Sequence, residues 1–119
     1  MRILFADDNP DTRDLFQIVF SLSGHNTLMA SDGAQAVRWA QTQEFDIAVL
    51  DLEMPIMDGL AALRCIRQMP RQPPLPVVIF TGYQDDETRN SAQASGANLI
   101  LYKPLMPLAM LQQLEKLVA

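Results

Sequence analysis

The sequence predicts an α/β domain in which a parallel sheet carries helices on both faces, and three observations predict it. Short apolar runs alternate five times with segments of helical period, without a long linker or a low-complexity tract. The runs are apolar at successive positions, which is how a strand covered on both sides reads. The segments between them are long enough for the right-handed crossovers that parallel strands require.

The first strand spans about residues 2–6. Pro10 suits the first turn of a helix running to about Ser23, with Leu15, Phe16, Val19, Phe20 and Leu22 at three- and four-residue spacings, and Gly24 ends it. A short strand follows near Thr27–Ala30. Asp32-Gly33 then turns the chain into a helix with Ala36, Val37 and Ala40 on one side. Ile47–Leu50 is the expected central strand. After Met54-Pro55 the chain turns at Asp58-Gly59 into a helix whose period is marked by Leu60, Leu63, Ile66 and Arg67, and the tract Pro70–Pro76 stops it. The fourth strand is Val77–Phe80, and a polar helix from about Asp85 to Ser95 is closed by Gly96. A fifth strand, Leu99–Tyr102, and a helix bearing Leu108, Leu111, Leu114 and Val118 complete the pattern. The implied architecture is a flavodoxin-like doubly wound (βα)5 domain with a five-stranded parallel sheet of order 2-1-3-4-5.

The 119 residues fit one domain, 1–119, and no further domain is visible. With 49% hydrophobic residues the chain can bury a core. The net charge of −5, with Lys103 and Lys116 the only lysines, argues against direct nucleic-acid binding, which gains from neutralising phosphates. No apolar stretch approaches the roughly 20 residues of a membrane span, and the start lacks a signal peptide, so no membrane association and a cytoplasmic location are expected. One cysteine excludes an internal disulfide, and Cys65 reads as a small buried thiol.

Polar residues stand directly after the apolar runs: Asp7 and Asp8 after the first, Asp51 after the third, Thr81 after the fourth and Lys103 after the fifth. Ligands of doubly wound sheets sit beyond the carboxyl ends of the strands where the strand order reverses, and the order 2-1-3-4-5 makes the first and third strands neighbours there. Two carboxylates about 4 Å apart repel by about 4 kcal/mol at an effective dielectric near 20, so a proton or a cation must relieve three of them. Oxygen ligands at a partly wet edge suit Mg2+ better than an all-protein Ca2+ cage. Lys103 is expected on the far side, too distant to neutralise all three acids and better placed for an anion held between it and the metal.

In these residues the chain resembles the receiver domains of two-component response regulators over essentially its whole length. The resemblance rests on Asp7-Asp8, the stretch Asp51-Leu52-Glu53-Met54-Pro55-Ile56-Met57-Asp58-Gly59, Thr81-Gly82 and Lys103-Pro104. It implies a phosphoacceptor switch rather than a turnover enzyme. Asp51 would take a phosphoryl group from a phosphohistidine of a sensor histidine kinase or histidine phosphotransfer protein. Mg2+ would be bound by Asp8 and Asp51, by Asp7 largely through water, and by the backbone carbonyl of Glu53. Lys103 would draw charge from the phosphoryl oxygens, and Thr81 would hydrogen-bond the bound group with small Gly82 beside it. The response would reach a downstream effector protein through the surface of the fourth helix, fifth strand and fifth helix. Pro104 resembles the family's cis-proline. Glu53 and Tyr83 occupy positions that flank the attacking water and tune phosphoryl lifetime.

One departure stands out: the family usually carries Phe or Tyr three residues before its lysine, and here that residue is Ile100. Signalling would then rely on loop and helix repacking, or would recruit Tyr102, which shares the strand face of Ile100 about 6.6 Å further along. Other residues have plainer readings. Asp58 reads as a helix cap, His25 as an exposed bystander in a turn, Trp39, Met54 and Met57 as packing, and the proline tract as a connection. Capping of the first helix is the alternative for Asp7 and Asp8. A phosphohydrolase with an aspartate nucleophile normally has Asp-x-Asp on its first strand. A flavin carrier would want a glycine- and hydroxyl-rich first loop, which Asp8-Asn9-Pro10-Asp11 is not. A receiver fold used only for interaction would not need all five chemical residues.

Overall fold

The structure, a computed structural model, describes residues 1–119 as five alternating strands and helices. They are β1 (Arg2–Ala6), α1 (Pro10–Leu22), β2 (Asn26–Ala30), α2 (Gly33–Thr42), β3 (Ile47–Asp51), α3 (Gly59–Arg67), β4 (Val77–Thr81), α4 (Asp86–Ala94), β5 (Leu99–Tyr102) and α5 (Pro107–Val118). The sheet order is β2-β1-β3-β4-β5 and every pairing is parallel, as the sequence predicts. Asp51 and Thr81 are the last residues of β3 and β4 rather than the first beyond them.

The unbroken apolar runs divide into two cores by simple alternation. Leu4, Ala6, Ala48, Leu50, Val77 and Ile79 pack with Ala36, Leu63, Ile66 and Ala92, under α2, α3 and α4. Ile3, Phe5, Ile47, Val49, Val78 and Phe80 face the other way onto Phe16 and Phe20 of α1 and Met110, Leu111 and Leu114 of α5. In that second layer the rings of Phe5 and Phe16 stack at 4.8 Å, with Phe20 edge-on to both.

Helix starts follow side-chain capping. Asn9 caps α1 by accepting from the N–H groups of Asp11 and Thr12, and Asp32, Asp58 and Asp85 cap α2, α3 and α4. Asp58 is therefore the cap the sequence suggests, whereas Asp7 and Asp8 are not caps. Trp39 packs on the first core and donates to the carbonyl of Met29. Met54 is buried and Met57 packs beside it.

Several expectations are corrected. Leu15 and Leu22 of α1 and Leu108 of α5 are exposed, because only a narrow arc of each helix meets the sheet and Phe16, Phe20, Met110 and Leu111 fill it. Cys65 is half-buried at the edge of the first core. His25 is not an exposed bystander: its side chain is 15% accessible, with Nδ1 2.7 Å from the Met1 amino group and Nε2 3.6 Å from the Glu115 carboxylate.

Arg67 does more than mark a helical period. Its Nε and Nη2 donate to the carbonyl of Gly96 at 3.0 and 2.8 Å, Nη2 donates to Asn98 Oδ1 at 2.7 Å, and Nη1 reaches the carbonyl of Leu75. Asn98 Oδ1 also accepts from the N–H of Val77 at 2.9 Å. One guanidinium thus ties the end of α3 to the start of β4 and the turn after α4. Gly96 makes room for it: its φ is +103°, and a Cβ there would stand 2.9 Å from Arg67 Nε. Hydrogen bonds to a charged group contribute about 1.5–3 kcal/mol each and removing the donor orphans several carbonyls, so Arg67→Ala should lose about 2–4 kcal/mol in urea unfolding. A loss below about 0.5 kcal/mol, the size of an ordinary surface substitution, would contradict this account.

Candidate functional site

The two dry faces of the sheet admit polar side chains only where the strands end, and the predicted residues gather there. Asp7, Asp8, Asp51, Glu53, Thr81, Gly82, Tyr83 and Lys103 line an open cleft of about 570 Å³ at the carboxyl edge of the sheet. A slightly larger hollow, about 630 Å³, lies at the opposite end around Phe45, Pro70 and Arg71, with Glu44 its only acid. Carboxylate oxygens of Asp7, Asp8 and Asp51 lie within 4.8 Å of one another, the geometry a shared cation needs.

The three acids differ in their surroundings. Asp7 is 1% exposed and every polar atom of it is engaged. Its N–H donates to Ala30, its carbonyl accepts from Arg13 Nη1 at 2.7 Å, Oδ1 accepts from the N–H of Asn9 at 2.9 Å, and Oδ2 faces Lys103 at 3.0 Å. Asp51, 7% exposed, has Lys103 Nζ at 3.2 Å from Oδ2 and the N–H of Glu53 at 3.4 Å from Oδ1. Asp8 is exposed and is not among the partners of Lys103.

The expected position of Lys103 therefore needs correction. Its ammonium does not stand off for an anion but bridges Asp7 and Asp51 directly. Strand spacing puts the ends of β5 and β1 about 14 Å apart. The four-carbon stem covers much of that by crossing β4, where Nζ lies 5.2 Å from the centre of the Phe80 ring. The bond from Lys103 to Pro104 is cis, the isomer the resemblance implies.

Electrostatics follow from this packing. Burial pushes the Asp51 carboxyl up from its ordinary value, the Lys103 charge draws it part of the way back, and Asp7 adds to the rise. Burial alone would lower Lys103, but the hydrogen bond to Asp7 and the charge of Asp51 outweigh it and leave the ammonium held more firmly than usual. One ammonium facing three carboxylates leaves a deficit of positive charge.

The neighbouring loops serve the same edge. Gly59 begins α3 with its N–H on the carbonyl of Leu52 at 3.0 Å, and a Cβ there would lie 2.1 Å from the Asp51 carbonyl oxygen. No other residue fits against the strand end that carries Asp51. Thr81 is 1% exposed, and its Oγ1 accepts from the N–H of Tyr83 at 3.0 Å, so the hydroxyl proton is available to an anion in the cleft. A Cβ at Gly82 would meet nothing within 4 Å, so internal packing does not demand glycine there. Tyr83 is half exposed at the rim. Ile100 packs against the first core, and Tyr102 lies in register with Thr81 on the adjacent strand. Arg13 was not singled out by sequence reasoning; only its position four residues into the first helix, after two acids, hints that it reaches back.

Comparison with known proteins places the chain in a family. Residues 3–115 match the response regulator receiver domain family. The chain is 33% identical over 116 residues to an uncharacterised 14.6 kDa protein of Leptolyngbya boryana, covering 98% of this chain and 88% of that protein. It is also 33% identical over 104 residues to the CAI-1 autoinducer sensor kinase/phosphatase CqsS of Vibrio cholerae, covering 87% of this chain but only 15% of that protein. Among solved structures, the Vibrio cholerae chemotaxis protein CheY4 superposes with a TM-score of 0.91 at 27% identity, over 97% of this chain and 96% of that one. The receiver domain of the sensor histidine kinase PA1611 of Pseudomonas aeruginosa, solved with a magnesium ion in its active site cleft, gives 0.89 at 27% identity over 98% and 96%.

Because the folded state raises Asp51 above its ordinary 3.8, ionised Asp51 costs stability, and without metal that cost grows as pH rises from about 3.8 through the raised value. In EDTA at neutral pH, Asp51→Asn should therefore melt higher than the parent, with the gap closing below the ordinary carboxylate range. A lower melting temperature for Asp51→Asn at neutral pH would contradict this.

Proposed function

The chain belongs to the response regulator receiver domain family, and from that membership we propose that Asp51 is its phosphoacceptor, charged from a partner phosphohistidine with the help of Mg2+. The observation that carries the proposal is the convergence of Asp7, Asp8, Asp51, Thr81 and Lys103 from four strand ends on one cleft. The similarity to a segment of a sensor kinase supports a sensor histidine kinase or a histidine phosphotransfer protein as donor.

The donor set suits a small hard cation, since carboxylate oxygens at a wet edge leave room for waters and phosphoryl oxygens. Asp8 and Asp51 would hold Mg2+ directly, Asp7 largely through water, and Glu53 through its backbone carbonyl. Bound there, Mg2+ would neutralise charge on the phosphoryl oxygens. The protein's own groups do the rest. Asp51 is kept ready as a carboxylate by Lys103 against the upward pressure of burial. One of its oxygens attacks phosphorus while the bond from phosphorus to the donor's imidazole nitrogen breaks and the imidazole leaves with that electron pair. Lys103 and the hydroxyl of Thr81 flank the arriving oxygens, so positioning and electrostatics supply the catalysis. The chain acts as a signalling acceptor that promotes its own phosphorylation and dephosphorylation, with residues 1–119 working as one receiver unit.

The output would run through α4, β5 and α5 to a downstream effector protein. Drawing Thr81 toward the phosphoryl group displaces a side chain that faces Tyr102 across the β4–β5 pair, while Ile100 remains core packing. This favours Tyr102 over Ile100 as the residue that responds.

Two measurements test the reading. Intact mass after incubation with acetyl phosphate and Mg2+ should rise by one phosphoryl group in the parent, with none added to Asp51→Ala and little when Mg2+ is chelated; undiminished labelling of Asp51→Ala would overturn it. Glu53 and Tyr83 stand exposed at the rim where water must approach. Glu53→Ala and Tyr83→Ala should accordingly change the half-life of the phosphorylated form by about threefold or more while altering its formation less, a barrier difference of about 0.6 kcal/mol or more. Identical half-lives in both variants and the parent would remove them from any role in lifetime.

A further inference from the structure

We propose that Arg13 is a positioning residue for the cation pocket, acting through the peptide that joins Asp7 to Asp8. The proposal rests on the Mg2+ reading of that pocket. Arg13 is the fourth residue of α1, and its Nη1 donates to the Asp7 carbonyl oxygen at 2.7 Å. Arg13 is not among the residues that line the cleft, and its link to the site runs through the Asp7 carbonyl.

The carbonyl of residue 7 and the N–H of residue 8 belong to one planar unit, and fixing the oxygen fixes the plane from which Asp8 departs. Asp7 does not depend on this contact, because its side chain is held by Asn9 and Lys103 and its N–H by Ala30. Asp8 has no such anchors. It is exposed and unpaired with Lys103, yet its oxygen must stay within 4.8 Å of those of Asp7 and Asp51 to share an ion with them. The backbone direction set by Arg13 keeps it there before any cation arrives, and a pre-placed ligand loses less freedom on binding.

The sign of the effect separates this role from others. A guanidinium near a cation pocket repels the cation, so a purely electrostatic Arg13 would tighten Mg2+ binding when removed. A purely structural Arg13 would lower the melting temperature and leave Mg2+ affinity alone. A positioning Arg13 must weaken Mg2+ binding when it is lost, as outer partners of metal ligands do by tenfold or more.

Calorimetric titration of Mg2+ into the phosphoryl-free parent, Arg13→Ala and Arg13→Lys tests it, with the backbone amide chemical shift of Asp8 in EDTA as a metal-free readout. The dissociation constant should rise by about tenfold in Arg13→Ala and return to within about threefold of the parent in Arg13→Lys, whose ammonium can still reach the carbonyl. The Asp8 amide signal should move in Arg13→Ala and return toward the parent's position in Arg13→Lys, and an unmoved signal in Arg13→Ala would count against the role. Arg13→Met, which keeps the stem, replaces Arg13→Ala if that variant does not fold. Equal or tighter Mg2+ binding without the guanidinium, in a setting where the parent binds, overturns the role of Arg13 alone. A parent that binds no Mg2+ overturns the pocket reading and this inference together.

Discussion

Like-charge repulsion at the carboxyl edge of the sheet is the constraint around which this molecule is arranged. Asp7 and Asp51 are buried beside each other, and ionised carboxylates repel far more strongly there than in water. The fold answers with an ammonium carried across β4 over the Phe80 ring, which contacts Asp7 and Asp51 but cancels only one of their two charges and leaves the third acid, Asp8, facing solvent. That arrangement is stable enough to fold and still short of positive charge. Because breaking a buried pair leaves an uncompensated charge, Lys103 cannot be dispensed with while both acids remain. A cleft with these properties favours a cation over an anion.

Much of this was legible in the sequence because the sheet has two dry faces. The runs Ile3–Ala6, Ile47–Leu50, Val77–Phe80 and Leu99–Tyr102 are unbroken, so the first polar residue after each marks the edge where ligands sit, and Asp7, Asp51, Thr81 and Lys103 could be named without coordinates. The strand order supplied the rest, since neighbouring β1 and β3 bring their acids together. What stayed hidden depends on angle and reach. Helical spacing put Leu15 and Leu22 on the same stripe as Phe16 and Phe20, but spacing alone does not say how wide an arc the sheet covers. The bridging posture of Lys103 needed a length of side chain measured against a strand spacing. Arg13 acts on a backbone carbonyl 6 residues back and Arg67 on one 29 residues ahead, and a carbonyl has no letter in the sequence to find. Ile56 is likewise unforeseeable: a β-branched residue at φ of 71° is unfavourable by itself, and only the path of the β3–α3 loop holds it there.

The same accounting separates the two halves of the cleft. On the β1 side the backbone is fixed: Asn9 caps α1, Arg13 and Ala30 hold Asp7, and the stacked rings of Phe5 and Phe16 sit directly beneath. On the β4 side, Gly82 has open space around it, and Tyr83, Gln84 and Asp85 are exposed. The acids proposed to hold the cation on β1 therefore stand on the better-anchored half, and the exposed loop after Thr81 forms the other.

The attachment of α4 gives that asymmetry a mechanical consequence. The helix buries a single residue, Ala92, close to its end, and its far turn is fastened by Arg67 on Gly96 and by Arg64 Nε on Ser95 Oγ at 3.3 Å. Its near end is held only by the Asp85 cap, which belongs to the helix itself and travels with it. Displacing the near end costs little buried apolar area, about 25 cal/mol for each Å² exposed, whereas displacing the far end breaks hydrogen bonds to a guanidinium. A pull on Thr81 and Gly82 is thus resisted least where α4 begins and most where it ends. Burial and side-chain hydrogen bonding both concentrate at the Gly96 end of the helix, so its first turn is the part held most loosely.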